Sequence, residues 1–347
     1  MRNVLYISNI EVPYRNEFFN QLSQKVNLTV IYERKKSSNR DDNWNLKTEK
    51  KYTFIYLKGL KVFNEYTVDL KLFKYIFSKK YDDIILGCFN SPSQILAILI
   101  MRVLNIKYIL NLDGEYFFEG RGIKKIIKRF LLKGAYKYFV AGDKQKEKLK
   151  KYISVDKIYT YHFSSLSEAE IINNSKILNK NSNNKVLVIG QYFFYKGIDV
   201  ALKVAELDSS IKYKFIGSSK RNSLLQKKVE DMNLNNVEII PFLRKEELFK
   251  EYQTCKCLLL PSNKECWGLV INEEASFGCP IISTYGSGAS MEFLEKKWIV
   301  EPGDYLSMYK AIKNLDIYKY NKQLLIKKSF KYTIENNVKE ALFMLEN

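Results

Sequence analysis

Two glutamates eight residues apart give the first indication of chemistry. The stretch PSNKECWGLVINEEASFGCP, residues 261–280, places Glu265 and Glu273 on either side of an apolar run. Gly268 permits close backbone approach where a helix is predicted to begin, and Gly278 ends that helix. Carboxylates accept hydrogen bonds from paired hydroxyls, while N–H groups at a helix start bind phosphate oxygens. The stretch therefore offers a sugar ring and a diphosphate what each requires, which indicates a nucleotide sugar.

A second candidate site lies in VLVIGQYFFYKGIDVALKVAE, residues 186–206. A strand is predicted to end at Gly190, and a helix to begin after Lys196 and Gly197. The helix N-terminus carries partial positive charge and Lys196 adds a full one, so the pattern predicts an anion site. By itself, a Lys-Gly pair before a helix is more often a solvated loop.

The elements that must position these residues alternate along the chain. Short β-branched and aromatic runs, such as NVLYIS, NLTVIY, KYFVAG, KVLVIG and CLLLP, are separated by segments of helical period. This alternation predicts an α/β protein with parallel sheets covered by helices on both faces. Ligands of such sheets bind beyond the carboxyl ends of the strands, so a cleft between two domains is the expected site.

The domain boundaries follow from the same pattern. We expect a first Rossmann-like domain at residues 1–165, a polar linker at 166–184 and a second Rossmann-like domain at 185–330. A C-terminal helix is expected at 331–347, and its return to the first domain is left open.

Several motifs in order resemble a known family. ECWGLVINE followed by EASFGCPII resembles the signature of the retaining family-4 glycosyltransferases, which have the GT-B fold of two Rossmann-like domains facing a central cleft. GQYFFYKG, PFLRKEELFKEYQTCKCLLLPS, STYGSGASMEFL and WIVEPGD are similar to further stretches of that family. The resemblance is strong over residues 185–305. Over the first 165 residues, DGEYFF and YHFSSL are only loosely similar to capsule and lipopolysaccharide members.

The resemblance implies roles for the paired glutamates and the lysine. Glu273 would bind the ribose hydroxyls of the donor, Glu265 the hydroxyls of the transferred sugar, and Lys196 the diphosphate. The backbone of three consecutive residues, Trp267, Gly268 and Leu269, would line the sugar and the diphosphate.

The first loop of the donor domain departs from the family. It contains Gly190 and Gln191, and Gln191 stands where the family often has arginine, so Arg244 is our candidate for the missing positive charge. Glu274 replaces the usual alanine, and we expect it at the surface.

In the first domain, Asp113 ends the predicted strand KYILNLD. It is expected to orient the sugar or to accept the acceptor's proton, or else to be a turn aspartate before a glycine. Tyr14 and Arg15 follow the first strand and are candidates for contacting an anionic acceptor, although a plain surface arginine fits equally. His162 is the only histidine, and a hydrogen-bonded structural role is favoured over acid–base catalysis. The predicted catalytic residues are Lys196, Glu265 and Asp113.

Charge is concentrated in the first part of the chain. The net charge is +19, and counting by sequence gives +15 for residues 1–165 and +4 for 166–347. The densest basic segment, Arg121–Lys151, includes a basic amphipathic helix, which favours an anionic membrane surface. The five scattered cysteines indicate reduced thiols in the cytoplasm, and we expect neither a signal peptide nor a membrane span.

Together these features predict a metal-independent hexosyltransferase without a cofactor, and the family resemblance implies that it is retaining. It would move a hexose from a UDP-linked sugar to a saccharide acceptor that is lipid-linked, in surface polysaccharide biosynthesis on the inner face of the bacterial membrane. The alternatives are a nucleotide-sugar epimerase on the same fold, which would need no acceptor, and a nucleic-acid-binding protein. The second is disfavoured because no nucleic-acid-binding module is recognised.

Overall fold

The computed structural model describes residues 1–35, 49–63, 66–113, 122–177, 184–217, 221–315 and 320–347. These residues form two compact units. The first unit joins Met1–Phe163 to Ile334–Asn347, and the second is Ser164–Thr333.

The first unit contains a seven-stranded parallel sheet within the described residues, in the order β3-β2-β1-β6-β7-β8-β9. Its strands are β1 (Asn3–Ser8), β2 (Asn27–Tyr32), β3 (Thr53–Tyr56), β6 (Asp83–Leu86), β7 (Ile109–Leu112), β8 (Lys137–Ala141) and β9 (Ile158–Tyr161), and a separate hairpin is formed by β4 (Leu60–Phe63) and β5 (Tyr66–Val68). Its helices are α1 (Pro13–Leu22), α2 (Lys71–Ile76), α3 (Pro92–Val103), α4 (Ile123–Leu132) and α5 (Asp143–Leu149).

The second unit repeats this plan with six parallel strands in the described residues, in the order β12-β11-β10-β13-β14-β15. The strands are β10 (Lys185–Ile189), β11 (Lys212–Ile216), β12 (Val237–Ile240), β13 (Cys257–Leu260), β14 (Ile281–Thr284) and β15 (Ile299–Val300). The helices are α6 (Glu168–Ser175), α7 (Ile198–Glu206), α8 (Asn222–Asp231), α9 (Lys245–Tyr252), α10 (Leu269–Phe277), α11 (Gly288–Phe293), α12 (Tyr305–Lys313) and α13 (Lys322–Ser329), and α14 (Ile334–Glu346) belongs to the first unit.

Burial explains why these strands read as continuous apolar runs. Every residue of β7, β8 and β13 is buried, as expected for a parallel sheet covered on both faces. The core of the first unit includes Leu5, Ile31 and Leu110. Because the strands themselves are buried, polar site residues are expected in the loops that follow the carboxyl ends of the strands in both sheets.

The segment expected to be a linker begins with a helix, which corrects that prediction. Helix α6 lies within residues 166–184, and its start is fixed by a capping box: the Ser167 N–H donates to Glu170 Oε2 (2.8 Å) while the Glu170 N–H donates to Ser167 Oγ (3.3 Å). Ile171 is buried, so α6 packs into the second unit. Residues 178–183 of the predicted linker lie outside the described residues.

Within the described part of the chain, each helix is too short or too polar to cross a membrane.

Candidate active site

The loop after β10 packs directly against the strand end that precedes the paired glutamates. A short 3-10 helix, Phe194–Lys196, leads to Gly197, whose backbone is left-handed with φ 66°. A Cβ atom at Gly197 would lie 1.9 Å from the carbonyl oxygen of Pro261. Only glycine fits this position, and the close approach brings Lys196 towards the loop that follows β13.

Lys196 and Glu265 form an ion pair. The Lys196 ammonium donates to Glu265 Oε2, and the two side chains are only 23% and 15% exposed. A backbone hydrogen bond joins the two loops, since the Lys264 N–H donates to the Tyr195 carbonyl (2.9 Å), and the Glu265 N–H donates to the Gly286 carbonyl (2.9 Å) in the loop after β14. The structure therefore brings together two predicted site residues that are far apart in the sequence.

Helix α10 begins beside this ion pair. Gly268 precedes it with φ 104°, and a Cβ there would lie 2.8 Å from Ser287 Oγ, so the turn requires glycine. The helix starts at Leu269 without a side-chain cap among the described residues; the Ile271 N–H donates to the Gly268 carbonyl (2.9 Å), while the Leu269 and Val270 N–H groups have no intrahelical acceptor. A positive charge and a helix N-terminus thus lie on neighbouring segments, which suits a diphosphate.

The Trp267 side chain belongs to the core. It is 2% exposed, its indole N–H donates to Asn272 Oδ1 (2.9 Å), and its ring lies 5.8 Å from that of Tyr332. Contacts from this position to a ligand must therefore come from the backbone.

The Glu273 carboxylate is held by two hydroxyl groups. Ser165 Oγ donates to Oε1 (2.8 Å) and the Tyr252 hydroxyl donates to Oε2 (3.0 Å). Burial raises the pKa of Glu273, while the Ser165 hydrogen bond and the charge of Lys245 act in the opposite direction. A carboxylate that already accepts from hydroxyls is suited to accept from those of a ribose.

The remaining donor-side candidates are spread more widely. Gly190 directly follows β10, and the carbonyl of Gln191 accepts from the Phe193 N–H (2.8 Å). Arg244 is exposed at the start of α9, where its N–H donates to Glu247 Oε2 (2.8 Å). The described contacts thus place Arg244 at a helix cap and do not join it to Lys196 or Glu265.

In the first unit, Asp113 sits in a polar network at the carboxyl end of β7. Arg15 donates to its Oδ2, while Oδ1 accepts from the Tyr161 hydroxyl and from Asn111 Nδ2 (3.3 Å). Arg15 also donates to the Tyr6 hydroxyl. Both carboxylate oxygens are engaged, which favours an orienting role over proton acceptance.

Tyr14 and His162 also have defined neighbours. The Tyr14 ring packs edge-to-face on Phe163 at 5.5 Å. The backbone N–H of His162 donates to Glu340 Oε2 (2.8 Å), and the ring Nδ1 of His162 contacts the other carboxylate oxygen of Glu340. His162 therefore joins the end of β9 to α14, in agreement with the structural role favoured from the sequence.

Most of the second unit is similar in sequence to a known protein family. Residues 170–323 match the family model of glycosyl transferases group 1. We call these residues the group 1 region. A curated relative, an uncharacterized glycosyltransferase of Haemophilus influenzae, is 25% identical over 83% of this chain and 89% of its own length. The O-antigen chain mannosyltransferase C of Escherichia coli is 26% identical over 38% of this chain and 37% of its own length.

Solved structures confirm the fold class. The Anabaena protein Alr3699/HepE, crystallised in complex with UDP and glucose, aligns with a TM-score of 0.73 at 12% identity, covering 100% of both chains. The predicted GT-B class, with two Rossmann-like domains, is therefore confirmed.

One residue of the group 1 region was placed wrongly from the sequence. Glu274, expected at the surface, is 0% exposed. It lies on α10 one position beyond Glu273, and because successive helical residues are rotated by about 100°, its side chain turns inward to contact the Cys255 thiol (3.0 Å). Burial raises its pKa well above the ordinary value.

Sequence reasoning also missed three neighbours of Glu273. Two of them, Tyr252 and Lys245, lie at the ends of α9 within the group 1 region, and Ser165 lies just before it. Lys245 donates to the carbonyl of Ser165 (3.0 Å). Lys245 therefore brings positive charge near Glu273. No spacing rule signals these contacts, because they arise from the packing of α9 and α10.

Proposed function

We propose that the protein is a retaining glycosyltransferase that moves a hexose from a UDP-linked sugar to a saccharide acceptor. The observation that carries this proposal is the pairing of Lys196 with Glu265 beside the first turn of α10. A diphosphate calls for the lysine and the helix start, and the transferred sugar calls for the carboxylate. Glu273, about one turn further along α10, is the partner for the ribose.

The proposed chemistry rests on stabilising the leaving group. As the glycosidic bond breaks, negative charge grows on the diphosphate, so Lys196 and the α10 N-terminus bind the transition state more tightly than the ground state. These groups supply positive charge from the chain itself, and we therefore propose a reaction that needs neither a metal ion nor a cofactor. Retention is proposed from the family resemblance.

The relatives support this choice of donor and acceptor. The Anabaena structure holds UDP and glucose, and the Escherichia coli relative is named for mannosyl transfer to O-antigen chains. By analogy we assign this chain a nucleotide-sugar donor and an acceptor in bacterial capsule or other surface polysaccharide biosynthesis. On the acceptor side, Asp113 orients a sugar hydroxyl, and Tyr14 and Arg15 border the same strand ends.

We further propose that the acceptor is lipid-linked and that the first unit rests on the cytoplasmic face of the membrane. Helix α4 exposes four apolar side chains, Ile123, Ile126, Ile127 and Phe130, among lysines and an arginine. Helix α3, which contacts α4, exposes Val103, and Leu104 directly after the helix is exposed as well. Apolar groups amid cations fit an anionic lipid surface, where the chains insert and the cations meet headgroup phosphates.

A screen of nucleotide sugars tests the proposed reaction. We expect a UDP-linked hexose at about 100 times its Kd to raise the free energy of unfolding by about 2.7 kcal/mol, seen as a higher Tm. Matched free hexoses without the nucleotide serve as controls. Slow hydrolysis of the same donor, followed by NMR, should first release the anomer of the donor's own configuration.

Three results would oppose the proposal. If no nucleotide sugar raised the Tm, as expected of a protein without a donor site, the donor assignment would fail. The same small shift with every nucleotide sugar would also remove it. Conversion of the donor into an epimer without any acceptor would instead favour the epimerase.

A further inference from the structure

Two thiols and a carboxyl group converge inside the second unit, away from the Lys196–Glu265 pair. Cys255, Glu274 and Cys279 are 1%, 0% and 2% exposed. Their candidate ligand atoms all lie within 4.8 Å of one another. Neither the donor site nor the acceptor side of the proposed reaction uses these side chains.

Three elements bring the cluster together. Cys255 lies between α9 and β13, Cys279 lies between α10 and β14, and Glu274 projects from α10. The carbonyl of Tyr252 faces the same point, because it accepts from the Cys255 thiol (3.6 Å) and from the Cys279 thiol (3.3 Å). Two sulfur atoms and two kinds of oxygen therefore surround one position.

One atom of the cluster lacks the partner that burial calls for. Glu274 Oε1 contacts the Cys255 thiol at 3.0 Å, but among the described residues Oε2 has no hydrogen-bond partner. A buried carboxyl oxygen left unsatisfied is costly, because it has lost its hydration without compensation. A cation bound at this point would remove that cost.

We propose that Cys255, Cys279 and Glu274, with the Tyr252 carbonyl, bind a thiophilic divalent cation such as Zn²⁺. Two thiolates and a carboxylate oxygen are ligands of the kind that zinc binds, with bonds of about 2.0–2.3 Å, and the Tyr252 carbonyl oxygen would take the fourth position. Contacts of 3.0–3.6 Å between the ligand atoms are close to the edges of such a tetrahedron. The protons of both thiols and of the carboxyl group leave to solvent as the cation binds.

Cobalt is the probe for this site, because thiolate-bound tetrahedral Co²⁺ absorbs in the near-ultraviolet and visible regions. The full chain is produced in Co²⁺-supplemented medium, so that the buried site fills during folding, and is purified under reducing conditions. We expect one equivalent of Co²⁺ with thiolate charge-transfer bands. Added Zn²⁺ should bleach these bands.

Matched variants separate the cluster from other thiols. Glu274→Ala and Cys255→Ser should weaken Co²⁺ binding by roughly tenfold or more, since losing even an outer-shell partner costs that much. Cys257→Ala is the control, because Cys257 is also buried and lies two residues from Cys255, outside the cluster. Circular dichroism checks that each variant is folded.

The contrary outcome is equally clear. The proposal fails if the folded wild type carries no more Co²⁺ or Zn²⁺ than a variant that lacks the cluster in addition to Cys257→Ala. It also fails if the wild-type spectrum survives in folded Glu274→Ala. Either result would mean that the cluster is a neutral hydrogen-bonded group. These readouts do not involve glycosyl transfer, so they stand apart from the proposed function.

Discussion

At the scale of single residues, neighbouring glutamates on α10 have opposite surroundings. Glu273 accepts hydrogen bonds from two hydroxyls, whereas Glu274 faces thiols in the core. The spacing of Glu265 and Glu273 in the sequence led us to predict both as binding residues, and this stays a prediction. The burial of Glu274 was not predictable in the same way, because it depends on what α9 and β14 place against the inner face of α10.

A buried glutamate in the first unit makes stability depend on pH. Glu33 is 3% exposed and accepts from Ser91 Oγ (2.7 Å), with Gln94, Arg34 and Cys88 also close. Burial raises its pKa above the ordinary 4.5, although Ser91 and Gln94 oppose this. The folded state therefore holds the proton to higher pH than the unfolded state, so stability falls as pH rises from about 4.5 through the folded pKa.

Replacing Glu33 by glutamine should remove this part of the pH dependence. We expect the free energy of unfolding of Glu33→Gln, measured by urea denaturation at a series of pH values, to fall less than that of the wild type as pH rises above about 4.5. Exposed Glu17, changed to glutamine, is the matched control. Parallel curves for Glu33→Gln and the wild type would show that Glu33 is not held protonated.

At the scale of secondary structure, the strands were predicted well and the irregular parts were not. NVLYIS matches β1 to the residue, because a strand buried on both faces is recorded as an apolar run. VEII matches β12 to the residue as well, although this strand lies at the edge of its sheet and is only partly buried. The hairpin of β4 and β5 was missed, since these short strands carry no period. Helix α6 was missed because its capping box lies in a polar segment that resembles a linker.

Gly197 couples the loop after β10 to the end of β13, and an alanine there should disturb both stability and donor binding. The new Cβ would meet the Pro261 carbonyl oxygen at 1.9 Å and also force a side chain into a left-handed backbone. We expect Gly197→Ala to lower the free energy of unfolding by about 3 kcal/mol or more. Displacement of Lys196 should weaken UDP binding as well.

Gly303→Ala isolates the steric part of this effect. Gly303 has φ 88° but nothing within 4 Å of its Cβ position, so only the backbone term applies, at about 1–2 kcal/mol. Chemical denaturation of both variants makes the comparison. Equal losses would mean that the contact between Gly197 and Pro261 is not required.

At the scale of the whole molecule, the asymmetric charge has a structural counterpart in α4. The basic segment 121–151 was identified from the sequence, and the exposure of its apolar residues is what the structure adds, with Ile123 75% and Ile126 67% exposed. Arg121 itself lies outside the described residues. Pattern alone did not distinguish a core helix with a solvated face from one that leaves apolar side chains uncovered.

Vesicle binding tests this surface. Ile126→Asp with Ile127→Asp should reduce co-sedimentation with phosphatidylglycerol vesicles by at least roughly tenfold, since each inserted side chain contributes about 1.5–3 kcal/mol. Leu224→Asp, at an exposed apolar position of α8 in the second unit, is the matched control. Binding to neutral phosphatidylcholine vesicles should be weak throughout. Equal binding by the double variant and the wild type would remove α4 from the membrane contact.

We propose that Lys196 binds the diphosphate and Glu273 the ribose of one donor. Calorimetric titration with UDP and ligand-observed NMR with uridine, which lacks the diphosphate, test it most directly. Lys196→Ala should weaken UDP binding roughly ten- to hundredfold, the loss of a charge-assisted hydrogen bond, and leave uridine binding unchanged. Glu273→Gln should weaken both ligands, and Lys227→Ala, at an exposed lysine of α8, neither. Unchanged UDP binding in Lys196→Ala, or equal losses for UDP and uridine, would contradict the claim.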